Sequence, residues 1–410
     1  MLNRPITAFQ TLILVAIIFA GWPAYGQSTY VPPAGSWERR APNSLGFDAA
    51  KLKEAIGFAI ANEAKAPRSQ ELGQAQTFGR EPFGEGIGLF KDRGEPTGVI
   101  IRGGYIVGEW GEPGRVDMTH SVTKSFLSAT VGLAFDRKLI RSLQDKASDY
   151  SAVTLPYDPL QRFGKAENFG KQQYIDLFAT DHNRKITWEH LLRQTSDWDG
   201  TLWGKPEWAD RPDRDATTWL TRKRNEPGTV YEYNDVRVNV LALAALNVWR
   251  RPLPQVLKEN LMDEIGASNT WRWLGYENSF VVLDGQIVQS VSGGGHWGGG
   301  MFINAYDMAR FGLLTSRNGR WGSKQILSEE FIRQAKTPTS VQPTYGFMNW
   351  FLNTEKKYYP AAPASAFVHV GNGTNIIYID PENDIVIVAR WIENGKINEF
   401  IDKVTASSWK

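Results

Sequence analysis

The chain carries 410 residues, with 46 lysines and arginines against 44 aspartates and glutamates, and it contains no cysteine. That near-neutral balance, with no basic block, excludes the electrostatic footprint of a nucleic-acid binder; a cysteine-free chain needs no oxidative folding and offers no thiol to carry a lipid. A composition of 42% hydrophobic and 22% charged residues is that of an ordinary globular protein, long enough for one large or two intertwined domains, with 16 tryptophans to share between core and cleft walls.

Residues 1–26 combine Arg4, an apolar run over 12–20 and the small-residue stretch Ala24-Tyr25-Gly26, the arrangement of a secretory leader cut after Gly26. A membrane anchor is the alternative, but the run is about half the ~20 apolar residues a span needs. The expectation is an exported protein, periplasmic or secreted, with no stable membrane insertion once the leader is removed. Loss of Arg4 leaves 45 basic residues against 44 acidic ones, a net charge of +1.

Over 48–63, Leu52, Ile56 and Ile60 recur at helical spacing, and the apolar triplets 99–101 and 105–107 flank Gly103-Gly104 as a hairpin. Residues 64–97, rich in glycine and charge with little periodicity, predict a long surface excursion. His120-Ser121-Val122-Thr123-Lys124-Ser125-Phe126 then opens an apolar-periodic run through Leu127, Val131, Leu133 and Ala134, a helix with a hydroxyl in its first turn. Pro156, Pro159 and a polar stretch follow. A capped helix is predicted over 187–192, and helix and loop predominate to about Leu261. Residues 367–370, 375–379 and 385–391 read as strands, the latter two joined by Pro381-Glu382-Asn383-Asp384, and Ile397, Phe400, Ile401 and Val404 mark a closing helix. A sheet fed from both ends of the chain, with a mainly helical insertion, is the expected architecture.

On a helix, positions three apart are neighbours, so Ser121 and Lys124 present a hydroxyl and an amine on one face. An amine held neutral by desolvation can take the serine proton, and the N–H groups of a helix start suit an oxyanion. By itself the pair also fits a cap with a solvated lysine. Downstream, Pro227-Gly228-Thr229 leads to Tyr233-Asn234-Asp235 before an apolar helix through Val236, Val240 and Leu243. A phenol there either projects into a cleft and, beside an ammonium that lowers its pKa, shuttles a proton, or it packs in the core while Asn234 or Asp235 caps the helix. His369-Val370-Gly371-Asn372-Gly373 ends a strand; Gly371 permits close substrate approach and the following amide suits an oxyanion donor, although a strand-end histidine also serves structural roles. The glycine-rich run 293–300 lacks the Lys-Ser/Thr and strand-loop-helix context of a phosphate loop and reads as backbone passing close to another element. The five histidines show no metal-ligand spacing, so neither metal nor cofactor is expected.

Together, Ser121-x-x-Lys124, Tyr233-Asn234-Asp235 and His369-Val370-Gly371 resemble, in order and spacing, the three motifs of the class C β-lactamase-related serine hydrolases. That group includes class C β-lactamases, D-alanyl-D-alanine carboxypeptidases, esterases and 6-aminohexanoate-dimer hydrolases. The stretches 186–196 and 299–312 also look like its recurring segments, and the resemblance covers about 36–410. It implies an α/β fold of the β-lactamase/transpeptidase type: an antiparallel sheet flanked by helices, built from 36–120 and 300–410, a mainly helical domain from 121–299, and an active site in the cleft between. It further implies Ser121 as nucleophile, Lys124 as general base, Tyr233 as proton shuttle, His369 and Gly371 on the substrate strand, and the N–H groups of Ser121 and Asn372 as oxyanion hole. Two positions depart from the β-lactamase pattern. His369 stands where those enzymes have lysine, and Asp235, where they usually have asparagine, is expected to be anionic near the cleft and to pair with Lys124, hindering its role as a neutral base. The expected activity is therefore hydrolysis of a small-molecule ester or amide through an acyl-enzyme, with neutral substrates favoured; a non-catalytic, penicillin-binding-like sensor or wall-binding protein is the alternative.

Overall fold

The computed structural model describes residues 30–157 and 174–409, so the expected leader over 1–26 and Pro159 lie outside the described residues. Helix α1 (Ala49–Ala61) starts where the Asp48 carboxylate accepts from the Ala50 and Lys51 N–H groups, an N-cap. Helix α2 (Gln70–Thr77), capped by the Ser69 hydroxyl, lies inside the stretch expected to be a surface excursion. It buries only Gln70 and so carries no apolar stripe for periodicity to reveal. Strands β1 (Thr97–Arg102) and β2 (Tyr105–Trp110) form the predicted hairpin, and β3 (Asp117–Met118) leads into α3 (Thr123–Asp136). The helix begins two residues after Ser121: His120–Val122 form a 3-10 turn with His120 at φ 48°, so Ser121 stands in the turn that feeds α3 rather than within it.

The middle of the chain supplies β4 (Leu155–Pro156), α4 (Trp188–Leu192), the hairpin β5 (Thr201–Leu202) and β6 (Lys205–Pro206), α5 (Asp235–Trp249), α6 (Leu253–Leu257), and strands β7 (Arg272–Leu283), β8 (Gln286–Val291) and β9 (Gly300–Ile303). After α7 (Ala305–Ser316), the short strands β10 (Arg320–Trp321) and β11 (Lys324–Gln325), and α8 (Glu329–Ala335), the chain returns through β12 (Phe351–Leu352), β13 (Phe367–Gly371), β14 (Asn375–Asp380) and β15 (Ile385–Arg390) to α9 (Ile397–Ser407).

Six strands make one antiparallel sheet in the order β12-β13-β14-β15-β1-β2, and the β1–β15 pairing, with Ile100 opposite Ile387, joins the first hairpin to the last strands. Both faces are covered, which is why β14 and β15 read as unbroken apolar runs. The period of two survives in where each side chain goes. Ile377, Ile379, Val386 and Val388 join Phe126 of α3 and Phe311 of α7, while Ile376, Tyr378, Ile385 and Ile387 join Leu52 of α1 and Phe400 and Val404 of α9. Each fully buried aliphatic side chain contributes ~1.5–3 kcal/mol relative to exposure. A second sheet runs β3-β9-β7-β4, with β8 on β7. Between these layers α3 is buried from Thr123 to Phe135. No helix among the described residues is long and apolar enough to cross a membrane.

Candidate active site

Because α3 is sealed on all sides, the side chain at position 124 has no route to bulk water, and Lys124 is fully buried. Its Nζ meets three acceptors: Ser121 Oγ at 2.7 Å, Asp235 Oδ1 at 2.7 Å and the Gly293 carbonyl at 3.2 Å. Burial pushes the Lys124 pKa down, with the Asp235 carboxylate opposing it. Asp235 is the first residue of α5, after the N-cap Asn234, whose Oδ1 accepts from the Arg237 N–H at 3.1 Å. Burial works to raise the Asp235 pKa, but Lys124 and Arg211 hold it well below the usual carboxylate range, and the positive end of α5 acts in the same direction. The predicted Lys124–Asp235 pairing is thus present.

Tyr233, on the loop before α5, faces the cleft, with its ring centroid 5.2 Å from Lys124 Nζ, and lines the same cavity as Ser121. Burial and the Asp235 carboxylate raise the phenol pKa, outweighing the Ser121 hydroxyl and Arg211. The expectation that a neighbouring cation would lower it is corrected: burial first, and then the Asp235 carboxylate, outweigh the lowering by Arg211.

In the third motif, His369 and Gly371 share the face of β13 turned to the Ser121 turn and α3. Gly371 and Asn372 line the cleft beside Ser121, and a Cβ at Gly371 would stand 2.3 Å from the Thr119 carbonyl oxygen and 3.1 Å from the Ser121 nitrogen. Only glycine lets the strand come this close to the serine turn. His369, two residues earlier on the same face, lies deeper, under α3. It is fully buried, with Nδ1 2.9 Å from Ser125 Oγ and its ring against Trp350 and Phe311. Burial lowers its pKa to about 3, so it is neutral. The expectation that His369 meets substrate is corrected, since at its place along the strand it lies against Ser125 of α3 and lines neither cavity at Ser121.

Arg211, which no motif marks, is a cation bordering both cavities. Its guanidinium lies 3.2 Å from Asp235 Oδ2, pairs with Asp210, and faces the rings of Tyr233 and Phe78 at 5.2 and 5.7 Å. Arg237 and Arg390 are instead buried, on Asp197, Glu207 and Glu232, and on Asn375 with the Ile303 and Met118 carbonyls, respectively. Behind Arg211, His296 sits with Nε2 2.6 Å from Glu81 and Nδ1 2.8 Å from Asp210. Asp210, Asp235 and His296 bring ligand atoms within 4.8 Å of one another. Both Asp235 oxygens face cations, Lys124 and Arg211, which makes the group an ion-pair network poorly suited to a further positive charge. The glycine-rich run closes over it: a Cβ at Gly295 would fall 2.3 Å from the Asp235 carboxyl carbon, which bears out the close backbone approach predicted for that stretch.

Two cavities meet at Ser121. The larger, about 670 Å3, is walled by Tyr231, Tyr233, Phe351 and the 370–374 strand end. The smaller, about 210 Å3, lies under α2 among Gln70, Gly73, Gln74, Thr77, Arg93 and His120. Ser121, Phe78, Arg211 and Asn372 border both. No motif predicted α2 or Phe78 as part of the site.

The model of the Beta-lactamase family matches residues 112–396. A protein of Escherichia coli O157:H7 described as a D-alanyl-D-alanine carboxypeptidase is 22% identical over 196 residues, which is 40% of this chain and 45% of that one, so the match spans less than half of the relative. Among solved structures, EstCE1, a hydrolase with promiscuous acyltransferase activity, superposes with TM-score 0.51 at 15% identity over 87% of this chain and 98% of its own. A D-stereospecific amidohydrolase from Streptomyces sp. gives TM-score 0.51 at 12% identity over 87% and 98%. At these identities the structural likeness shows a shared fold.

Proposed function

Since the chain belongs to the Beta-lactamase family, we propose that it is a serine hydrolase that cleaves a small-molecule ester or amide through an acyl-enzyme on Ser121. The observation that carries this reading is the buried Lys124 amine 2.7 Å from a serine hydroxyl that opens onto two cavities. In the neutral form, Lys124 donates its two hydrogens to Asp235 and the Gly293 carbonyl and turns its lone pair to the Ser121 O–H. Asp235 then orients the base, and it stabilises the ammonium that forms as Ser121 attacks. The carbonyl oxygen of the substrate takes up negative charge against the N–H groups of Ser121 and Asn372. Tyr233, held protonated, passes a proton to the leaving group and recovers one from Lys124. Water, activated by the same pair, releases the acid and restores Ser121.

Within this reading, the sheet domain of 36–120 and 300–410 and the residues 121–299 face each other across the cleft, and the protein acts outside the cytoplasm. Arg211 is already paired with two carboxylates, which supports a preference for neutral substrates without any part played by His369. The test is steady-state turnover of p-nitrophenyl butyrate, linear amides, D-amino-acid peptides and nitrocefin by wild type and Ser121→Ala. Ester or amide turnover that the substitution abolishes is expected. One stoichiometric acylation without turnover would instead identify a penicillin-binding-like sensor.

A further inference from the structure

The two cavities differ in which proton donor they reach, and from that we infer that the cavity under α2 is the acyl subsite, that it takes a short acyl group, and that Gly73 sets its depth. This rests on the assignment of Ser121 as nucleophile. Tyr233 lines the larger cavity and is absent from the walls of the smaller one. A leaving group must sit within reach of the group that protonates it, so it occupies the larger cavity. With the carbonyl held at the junction by Ser121 and Asn372, the acyl substituent points the other way, beneath α2.

That space disfavours a long alkyl chain on two counts. It is less than a third the volume of its neighbour, at about 210 against 670 Å3. Part of its wall is also polar: Gln70, Gln74 and Thr77 come from α2 and donate to nearby carbonyls, while Arg93 is buried there with its Nε lacking a hydrogen-bond partner. An alkyl chain laid over Arg93 leaves that donor without water or partner. Gly73 is the point where the helix offers no side chain, and a Cβ built on it meets nothing within 4 Å. A larger residue there projects into open space without backbone strain.

The experiment compares wild type, Gly73→Ala and Gly73→Leu on p-nitrophenyl acetate, butyrate and octanoate, and on p-nitrophenyl against 1-naphthyl acetate. Fluorophosphonate labelling of Ser121 and thermal melting are recorded for each protein. Wild type is expected to favour acetate and butyrate over octanoate by at least about tenfold in kcat/KM, the order of discrimination one misfitted methylene gives. Gly73→Leu is expected to lower the butyrate-to-acetate ratio by a further factor of about ten or more, Gly73→Ala by less, while the naphthyl-to-p-nitrophenyl ratio stays unchanged. Acyl ratios that stay within about twofold in both variants, with Ser121 still labelled, overturn the assignment, as does an effect confined to the leaving-group ratio. Should Gly73→Leu fail to fold, the graded effect of Gly73→Ala decides. Failure of the hydrolase assignment looks different: neither labelling nor turnover in wild type.

Discussion

Asp235→Asn isolates the ion pair at the centre of the site. Asparagine keeps the shape and still accepts from the His296 N–H, which lies 3.2 Å from Asp235 Oδ2, but it removes the charge facing Lys124 at 2.7 Å and Arg211 at 3.2 Å. Breaking a buried pair by deleting one partner costs about 3–5 kcal/mol. The Arg211 side chain is 40% exposed and keeps Asp210, so it regains hydration and the lower end applies, about 3 kcal/mol. At ~2 °C per kcal/mol for a chain of this size, Tm should drop by about 6 °C. The depressed Asp235 pKa fixes the pH window. The stabilisation is fully present above the unfolded carboxylate value of about 3.9 and is lost as pH falls through the lower folded value. The wild-type advantage should therefore hold from neutrality down to about pH 4. Kinetically, Asp235 opposes the burial that lowers the Lys124 pKa, so without it the acid limb of kcat/KM moves to lower pH. The plateau falls by about ten- to a hundredfold, the worth of one charge-assisted hydrogen bond to the forming ammonium. Differential scanning calorimetry across pH and a pH–rate profile supply both readouts. A variant within about 1 °C of wild type, or one whose acid limb moves to higher pH, would refute this account of the pair.

Other outcomes follow from the same geometry. A fluorophosphonate should label Ser121 alone: Ser125 lies 2.9 Å from His369 Nδ1 but is fully buried, and peptide mapping that finds the adduct on Ser125 contradicts this. His369 and His120 are buried with pKa values lowered to about 3 and about 4, chiefly by desolvation. The unfolded chain takes up these protons first, so stability is full above about pH 6.5 and is lost as pH falls toward the folded values, for His369 on the order of 5 kcal/mol. His369→Asn should flatten the dependence of Tm on pH between about 6.5 and 4, and an unchanged slope would count against a neutral buried imidazole. N-terminal sequencing of protein from its native host should find Gln27 first; retention of residues 1–26 in a membrane fraction would rule out cleavage there.

Local signals were legible in the sequence because they are short-range. Hydrophobic period gave α1, the first hairpin, the last three strands and α9, and Ser121-x-x-Lys124 needs only the geometry of one turn to place a hydroxyl beside an amine. Three things depended on the folded chain. The Lys124 amine is shifted because α3 is enclosed on every side by segments distant in sequence, and burial is a property of the assembly. Arg211 reaches the cleft from a loop without motif or period, and only Asp210, Asp235 and the rings of Tyr233 and Phe78 define its position. His369 and Gly371 share a motif and one face of β13, yet Gly371 at the strand end meets the Ser121 turn while His369, two residues earlier, is covered by α3 at Ser125. Which of the two met the cleft was settled by where α3 lies across β13, because sequence gives the period of a strand but not which positions along it another element covers.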